Sequence, residues 1–205
     1  MNGDLFVTDE VLERIPMPDA EVYYQARLAL DAPTDDIMHT LIASVPWRAE
    51  EITLWGKTFL QPRLSAWYGD IGAHYTYSGI KLTPLPWSEL LLRIKSRVEA
   101  AAKISFNSVL LNYYRDNRDS MGFHSDDEAE LGRQPVIASV SLGEERTFIL
   151  KHKKNRTLKP IRIDLASGSL LLMMGDTQHN WRHGIDKEVR SCGPRINLTF
   201  RRICP

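Results

Sequence analysis

The sequence predicts an α+β protein, mainly β, with a double-stranded β-helix (jelly-roll) core and supporting N-terminal helices. From residue 51 onward, short segments with strand-like patterns follow one another, and Gly, Pro, Asn and Asp stand between them. Helix-like spacing is concentrated early in the chain. Regular alternation of strands and helices is absent, so two packed sheets with helices on one side fit better than a doubly wound parallel sheet.

Three amphipathic helices are predicted from apolar residues that recur three or four positions apart. The first begins at the capping residue Asp19 and runs to Leu30, the second is capped by Thr34 and stops at Pro46, and the third follows Pro86. Nine strands are predicted, over residues 51–55, 58–61, 64–68, 108–114, 136–142, 147–151, 161–165, 169–174 and 196–203.

Length and composition favour a single domain over residues 1–205, with a helical N-terminal extension over residues 1–44. Hydrophobic residues make up 43% of the chain and charged residues 25%, which excludes a largely disordered protein. The most apolar run, at residues 170–174, is far shorter than the ~20 residues that span a bilayer. The opening residues show no secretory signal, and Cys192 and Cys204 make no disulfide framework. We therefore expect a cytoplasmic protein, or a nuclear one in a eukaryote.

The zero net charge excludes a uniformly basic nucleic-acid binder, but it hides an asymmetry. Residues 1–60 carry four Lys and Arg against eleven Asp and Glu, whereas residues 61–205 carry twenty-two against fifteen. A basic body behind an acidic leading segment can focus a polyanion onto one face. Segregation of charge without any role is an equally good interpretation.

A candidate metal site begins at His124 and Asp126, which stand two residues apart. In a strand such residues face the same side, so an imidazole and a carboxylate are presented together. They form two thirds of the 2-His-1-carboxylate triad that holds Fe(II) and leaves positions open for ligands. With six histidines in the chain, a surface His–Asp pair without a metal is the simpler alternative for this motif alone.

Two later histidines, His179 and His183, compete for the third ligand position. We favour His183 because it precedes Gly184, where the backbone can approach a site closely. His179 has the same strand parity, so the local pattern leaves the choice open.

The C-terminal segment, residues 195–201, predicts an anion site. Alternation places Arg195, Asn197, Thr199 and Arg201 on one face, and apolar residues occupy the other. Two arginines that point inward need anions to pair with, and a short dicarboxylate such as 2-oxoglutarate would suit them. One arginine would take its distal carboxylate, and the other would lie near a metal-bound end. An edge strand with a wet, basic face is the alternative.

A second wall of the same site is predicted on the strand that ends at Tyr114. Asn112 and Tyr114 share parity there, so an amide and a phenol could complete the hydrogen bonding of the ligand. Taken alone, this pattern is also typical of an ordinary strand with a tyrosine.

Together these segments resemble the AlkB family of Fe(II)/2-oxoglutarate dioxygenases. The resemblance rests on His124-Ser-Asp126, on His183-Gly184, on the ending Arg195-Ile-Asn-Leu-Thr-Phe-Arg201, and on Asn112-Tyr-Tyr114. It covers roughly residues 45–205. Residues 62–69, 75–79 and 126–128 are similar to the branch of the family that repairs alkylated nucleic acid.

The resemblance implies a full set of site residues and cofactors. Fe(II), 2-oxoglutarate as co-substrate, and molecular oxygen would be required. The implied iron ligands are His124, Asp126 and His183. The implied 2-oxoglutarate ligands are Asn112, Tyr114, Arg195, Asn197, Thr199 and Arg201. The implied reaction is oxidative demethylation of N-alkylated bases such as 1-methyladenine and 3-methylcytosine in DNA, with 2-oxoglutarate converted to succinate and formaldehyde released.

Residues 45–90 are the expected nucleotide-recognition region, with further contacts close to the iron ligands. Aromatic residues would stack on a flipped base or replace it in the duplex, carboxylates would favour a cationic base, and a lysine would contact phosphate. Core packing and an ordinary acidic turn are the alternatives. The expected substrate contacts are Trp55, Gly56, Lys57, Tyr75, Thr76, Tyr77, Ser78, Asp127 and Glu128.

A basic run over residues 151–162 holds six Lys and Arg and no acidic residue, which favours contact with a nucleic-acid backbone over a merely solvated loop. The expected partner is alkylated DNA, with RNA left open, no membrane, and a monomeric protein. Three alternatives remain: the same chemistry on RNA or on a protein side chain, a catalytically inactive jelly-roll binding module, and a zinc hydrolase. The hydrolase leaves Arg195 and Arg201 without a purpose.

Overall fold

Two antiparallel sheets enclose the interior of the protein, and two helices cover the outer face of the larger sheet. The computed structural model describes residues 11–54, 57–73, 75–77 and 80–204. The larger sheet contains seven strands in the order β1 (Glu13–Ile15), β2 (Glu21–Gln25), β13 (Leu170–Met174), β10 (Ile137–Gly143), β15 (Arg195–Arg201), β8 (Ser108–Tyr114) and β5 (Leu64–Gly69). The smaller sheet contains β12 (Ile161–Leu165), β11 (Arg146–His152), β14 (Trp181–Ile185) and β9 (Met121–His124).

Two antiparallel hairpins stand apart from these sheets. They pair β3 (Glu51–Leu54) with β4 (Lys57–Leu60) and β6 (Tyr75–Tyr77) with β7 (Ile80–Leu82). The helices are α1 (Thr34–Ser44), α2 (Glu89–Ala102) and the short α3 (Thr177–Asn180), and a 3-10 turn covers Ala129–Leu131. No helix in the described ranges is long and apolar enough to cross a membrane.

Two apolar cores lie on opposite faces of the larger sheet. One packs α1 and α2 against the sheet, and it includes Leu41, Leu91 and Phe200. The other fills the space between the two sheets, and it includes Leu171 from β13 and Trp181 from β14. This layered arrangement confirms the jelly-roll prediction with helices on one side.

Strand β15 lies in the middle of the larger sheet, between β10 and β8, and all seven of its residues are buried. Its apolar residues Ile196, Leu198 and Phe200 pack in the core beneath the helices. Because side chains alternate along a strand, its polar residues face the space between the sheets. The prediction of a polar inner face, with no wet outer edge, is confirmed.

Most predicted elements are present, but the prediction of the first helix is wrong. All nine predicted strands occur within one or two residues of their expected bounds, and α1 and α2 match the second and third predicted helices. Residues 21–25, however, form β2 and pair with β13, with Val22 fully buried. Pairing with a core strand overrides the four-residue spacing that suggested a helix over 19–30. Thr34 is also not the cap of α1, because Pro33 occupies that position and no side-chain hydrogen bond caps the helix.

Candidate metal and co-substrate site

His124, Asp126 and His183 meet in the space between the two sheets. Strands β9 and β14 are neighbours, and their register places His183 directly opposite His124. Asp126 follows the end of β9, and each histidine Nε2 lies 3.8 Å from one of its carboxylate oxygens. One potential ligand atom from each of the three residues lies within 4.8 Å of the others. Asp126 and His183 are buried, and His124 is partly exposed.

Neighbouring groups orient these three side chains. His124 Nδ1 lies 2.9 Å from the carbonyl oxygen of Gly122. Because a carbonyl oxygen can only accept, Nδ1 carries the hydrogen, and the Nε2 lone pair of the neutral ring is available to a metal. The backbone N–H of Asp126 donates to Gln178 Oε1 at 2.9 Å. The His183 ring is stacked on Phe148 with centroids 5.1 Å apart. Such supporting contacts are typical of metal ligands, whose orientation must be set before the metal binds.

The local electrostatics keep both imidazoles neutral and the carboxylate charged. Burial, together with His124, lowers the pKa of His183 to about 3. Burial also lowers the pKa of His124, although Asp126 opposes that effect. Burial by itself would raise the pKa of Asp126, but Arg201 and the two histidines outweigh it and bring that pKa below its ordinary value. Two neutral imidazoles and one carboxylate are the donor set that suits Fe(II) in the facial triad, so these residues fit such an ion.

The two arginines of β15 lie at opposite ends of the polar face. Arg201 Nη2 donates to Asp126 Oδ1 at 2.8 Å, which places Arg201 beside the candidate metal ligands. Arg195 is 0% exposed and donates from Nη2 to Ser141 Oγ at 2.9 Å. Its Nε and Nη1 atoms have no hydrogen-bond acceptor among the described residues.

Arg195 is therefore a buried cation that an anionic ligand would stabilise. Burial lowers its pKa to about 10, so the guanidinium still carries its charge at neutral pH. Its guanidinium carbon lies 5.2 Å from the centroid of the Tyr114 ring. A charge held away from water in this way is costly without a partner, and a carboxylate would supply one.

One cavity joins the His–Asp–His cluster to both arginines. All six residues expected to bind 2-oxoglutarate line it: Asn112, Tyr114, Arg195, Asn197, Thr199 and Arg201. Inside it, Thr199 Oγ1 donates to Asn197 Oδ1 at 2.8 Å, and Asn197 Nδ2 donates to Ser139 Oγ at 2.7 Å. The cavity thus has an arginine at each end and a polar floor between them.

Comparisons with known proteins identify this arrangement. A family profile described as the 2OG-Fe(II) oxygenase superfamily matches residues 22–201. The DNA oxidative demethylase ALKBH2 of Homo sapiens is 40% identical over 181 residues, which cover 84% of this chain and 69% of that protein. The chain belongs to the AlkB family of Fe(II)- and 2-oxoglutarate-dependent oxygenases.

Other AlkB-family relatives agree. The alpha-ketoglutarate-dependent dioxygenase alkB homolog 3 of Mus musculus is 44% identical over 179 residues, or 83% of this chain and 62% of that relative. The chain therefore spans about three fifths of the length of the alkB homolog 3 proteins. The solved structure of OsALKBH1 superposes with a TM-score of 0.62 at 18% identity, covering 94% of this chain and all of that one, which shows a shared fold.

His179, the other candidate third ligand in this AlkB-family chain, lies apart from the cluster. It belongs to α3 and not to a strand, so the parity argument does not apply to it. Its Nε2 contacts the carbonyl oxygen of Arg133. Gly184 allows the close backbone approach that was expected next to His183. A Cβ at Gly184 would lie only 2.8 Å from the carbonyl oxygen of Met121 on the neighbouring strand.

Three residues near the site carry no role in the sequence analysis. Arg63 is buried and donates from Nε to Asn112 Oδ1 at 2.8 Å. Gln178 holds the Asp126 backbone, and Phe148 stacks on His183. Arg63 lies within the segment 62–69 that carries part of the family resemblance, which is the one signal that could have found it. No local pattern marks the other two.

The expected substrate contacts divide into two groups. Asp127 lies beside the cluster with its side chain 48% exposed, and its Oδ2 accepts from Lys153 Nζ at 2.9 Å. Glu128 precedes the 3-10 turn. The remaining expected contacts lie on the two hairpins: Lys57 opens β4, and Tyr75, Thr76 and Tyr77 form β6, whereas Trp55, Gly56 and Ser78 lie outside the described residues.

Proposed function

We propose that this protein oxidatively demethylates N-alkylated bases, 1-methyladenine and 3-methylcytosine, in DNA, and converts 2-oxoglutarate to succinate with release of formaldehyde. The buried His–Asp–His cluster, joined by one cavity to Arg195 and Arg201, carries this proposal. Relatives at 40–44% identity, among them proteins called DNA oxidative demethylase, support the choice of reaction and substrate.

The residues of the cavity divide the work between metal and co-substrate. His124, Asp126 and His183 would hold Fe(II), which together with 2-oxoglutarate and dioxygen supplies the oxidation of the N-methyl group. Arg195 would take the distal carboxylate of 2-oxoglutarate, helped by Asn112 and Tyr114 and by the polar chain through Asn197. Arg201 holds Asp126 in place through its 2.8 Å hydrogen bond.

No protein nucleophile or general base is required in this reaction. The oxidised methyl group leaves as formaldehyde when the hemiaminal collapses, and the protein's part is to bind, orient and exclude water. Burial of Asp126, His183 and both arginines suits that role, because charges in a site away from water act strongly on their partners. The intact donor set also argues against an inactive jelly-roll module.

The acidic residues next to the cluster would favour a cationic base. Asp127 directly follows Asp126, and its side chain is half exposed. 1-Methyladenine and 3-methylcytosine carry positive charge, so they would gain from this carboxylate. Lys153 already pairs with Asp127 and also donates to the carbonyl oxygen of Gln178 at 2.7 Å, so it would moderate that attraction.

Contact with the nucleic-acid backbone would come from the exposed part of the basic run between β11 and β12. Lys154, Arg156 and Lys159 are exposed there. Lys153 makes internal hydrogen bonds, and Lys151 lies 3.6 Å from the Phe123 ring centroid, so both are partly occupied within the protein. Phosphate contacts position a strand without reading its sequence, which suits an enzyme that recognises a lesion.

The test is a demethylation assay with matched variants. The purified protein is incubated with Fe(II), 2-oxoglutarate, ascorbate and oligonucleotides that carry 1-methyladenine or 3-methylcytosine, and formaldehyde and restored base are measured. Asp126→Ala should abolish both products. Asp164→Ala removes an exposed carboxylate from the same smaller sheet and should leave both unchanged.

Substrate controls separate the alternatives. Methylated DNA, methylated RNA of the same sequence and a methylated peptide are compared at equal concentration. Formaldehyde from RNA or peptide with none from DNA would contradict the DNA assignment, and succinate from none of them would contradict the enzyme. A monomeric state and a cytoplasmic, or in a eukaryote nuclear, location remain predictions.

A further inference from the structure

Arg146 is a buried cation outside the cavity and without a role in the function proposed above. It opens β11, and its side chain is only 1% exposed. Its Nη2 donates to two carbonyl oxygens, those of Asp119 at 3.1 Å and Asp186 at 2.6 Å. Its Nε lies 3.4 Å from Glu188 Oε1, which partly balances the charge.

The two carbonyls belong to the chain segments that position the candidate iron ligands. Asp119 lies just before β9, the strand that ends at His124, and Asp186 directly follows β14, the strand that holds His183. The pairing of β9 with β14 is irregular between His183 and Ile185, where the register shifts. A shifted register weakens the backbone ladder, so the Arg146 guanidinium ties the two strands together beyond the irregularity.

Arg146 also faces the co-substrate end of the cavity. Its guanidinium carbon lies 5.9 Å from the Tyr114 ring centroid, and that of Arg195 lies 5.2 Å from the same centroid. Both cations lie within the distance at which a guanidinium is attracted to an aromatic ring. Positive charge from Arg146 adds to that of Arg195 at the place where a carboxylate is expected.

We propose that Arg146 is a positioning residue for both halves of the site. Through the two carbonyls it sets the spacing of His124 and His183. Through its contact with the Tyr114 ring it sets the orientation of that ring for the 2-oxoglutarate carboxylate. The co-substrate half of this inference rests on the proposed function, and the metal half does not. Groups that hydrogen-bond metal ligands directly commonly change metal affinity or activity by about 10- to 100-fold when they are removed, and Arg146, which acts through the backbone, is expected at the lower end of that range.

The experiment measures binding, with Mn(II) as a redox-stable probe for the metal. Calorimetric titration gives the Kd of Mn(II) for the metal-free protein and then the Kd of 2-oxoglutarate for the Mn(II)-loaded protein. The variants are Arg146→Met, which keeps bulk and removes all donors, and Arg146→Lys, which keeps a charged donor but not the planar group. Arg115→Met is the matched control, because Arg115 pairs with the Asp119 side chain at 2.8 Å from a half-exposed position.

We expect Arg146→Met to raise both Kd values about tenfold or more at a temperature where circular dichroism shows a folded protein. Arg146→Lys should recover most of the Mn(II) affinity, since an ammonium can still donate to the carbonyls, but little of the 2-oxoglutarate affinity. Arg115→Met should leave both Kd values within about twofold of the wild type.

Several results would overturn the inference. One is a folded Arg146→Met protein with a lower Tm but unchanged Kd values for Mn(II) and 2-oxoglutarate, because that result would indicate a purely structural role. Equal losses in Arg115→Met would be another. If Arg146→Met does not fold, wild-type affinity for 2-oxoglutarate in Arg146→Lys would decide against it. A wild-type protein that binds Mn(II) but not 2-oxoglutarate would contradict the proposed function, and the Mn(II) data would still test the tie between the strands.

Discussion

Replacing Asp126 with Asn removes the carboxylate that pairs with Arg201 inside the protein. The two side chains are 1% and 2% exposed, and Nη2 lies 2.8 Å from Oδ1. Asn keeps the shape and can accept one hydrogen bond, but it cannot balance the guanidinium charge. Breaking a buried pair from one side typically costs about 3–5 kcal/mol, because the remaining charge stays buried. For a domain of this size each kcal/mol lowers Tm by about 2–4 °C, so the metal-free variant should melt about 6–20 °C below the wild type.

Calorimetric melting of both proteins in the presence of a chelator measures this difference directly. Asp164→Asn is the control, since this side chain is exposed and Asn can still accept the hydrogen bond from Thr147 Oγ1, so the free energy of unfolding should change by no more than about 0.5 kcal/mol. Added Mn(II) should raise the Tm of the wild type and of the control but not that of Asp126→Asn. A metal-free Asp126→Asn protein as stable as the wild type would refute the reasoning, because the ion pair with Arg201 would then contribute nothing to the fold.

Four further predictions concern the co-substrate, the nucleic acid, pH and the substrate base. Arg195→Leu should raise the Kd of 2-oxoglutarate about 10- to 100-fold in calorimetry while Mn(II) affinity stays unchanged, since Arg195 offers unpaired donors at the end away from the metal ligands. Lys154→Glu should lower DNA affinity and reduce the slope of log K against log salt concentration by about one. Lys153→Glu should also lower Tm, because it breaks internal hydrogen bonds. An unchanged slope in both variants would contradict contact with the nucleic-acid backbone. The metal-free protein should lose stability as the pH falls below about 6.5, because histidine in the unfolded chain then takes up a proton, whereas buried His183, with its pKa of about 3, does not. In chemical denaturation the free energy of unfolding should fall by about 1.4 kcal/mol per pH unit for each such histidine. A free energy of unfolding that stays constant between pH 6 and 4 would be incompatible with neutral buried imidazoles. Tyr77→Ala should reduce demethylation much more than Mn(II) binding, and equal losses of both would argue against stacking on the base.

The elements that could be predicted from sequence are those whose pattern has a single explanation. In β15 the alternation of polar and apolar residues indicates both a strand and its two faces, and the structure buries one face against the helices. In α2 the spacing of Leu91, Ile94 and Val98 predicts the buried stripe that is observed. These patterns are local, so the chain itself specifies them.

The errors arise where neighbouring strands decide the outcome. Residues 21–25 carry apolar spacing compatible with a helix, but the free edge of β13 draws them into the larger sheet as β2. The sequence predicts no bounds for β9 and β14, although strand parity is assumed for their histidines, because each strand is short and includes a polar residue that lines the cavity. His183 is buried only because the opposite sheet covers the cavity that it lines, whereas His124 stays partly exposed. Burial of this kind depends on residues far away in the chain, so no local window reveals it.

The sequence by itself determined the chemistry of the site: a His-x-Asp pair, two arginines on one face of a strand, and an amide and a phenol on another. Tertiary structure decided which of two histidines completes the cluster, because the register of β14 on β9 brings His183 opposite His124 and leaves His179 in α3. It also decided the supporting roles of Gln178 and Arg146, whose partners are backbone groups. Every residue has such backbone groups, so contacts with them leave no mark in the sequence, and only the packing of distant strands selects which ones meet.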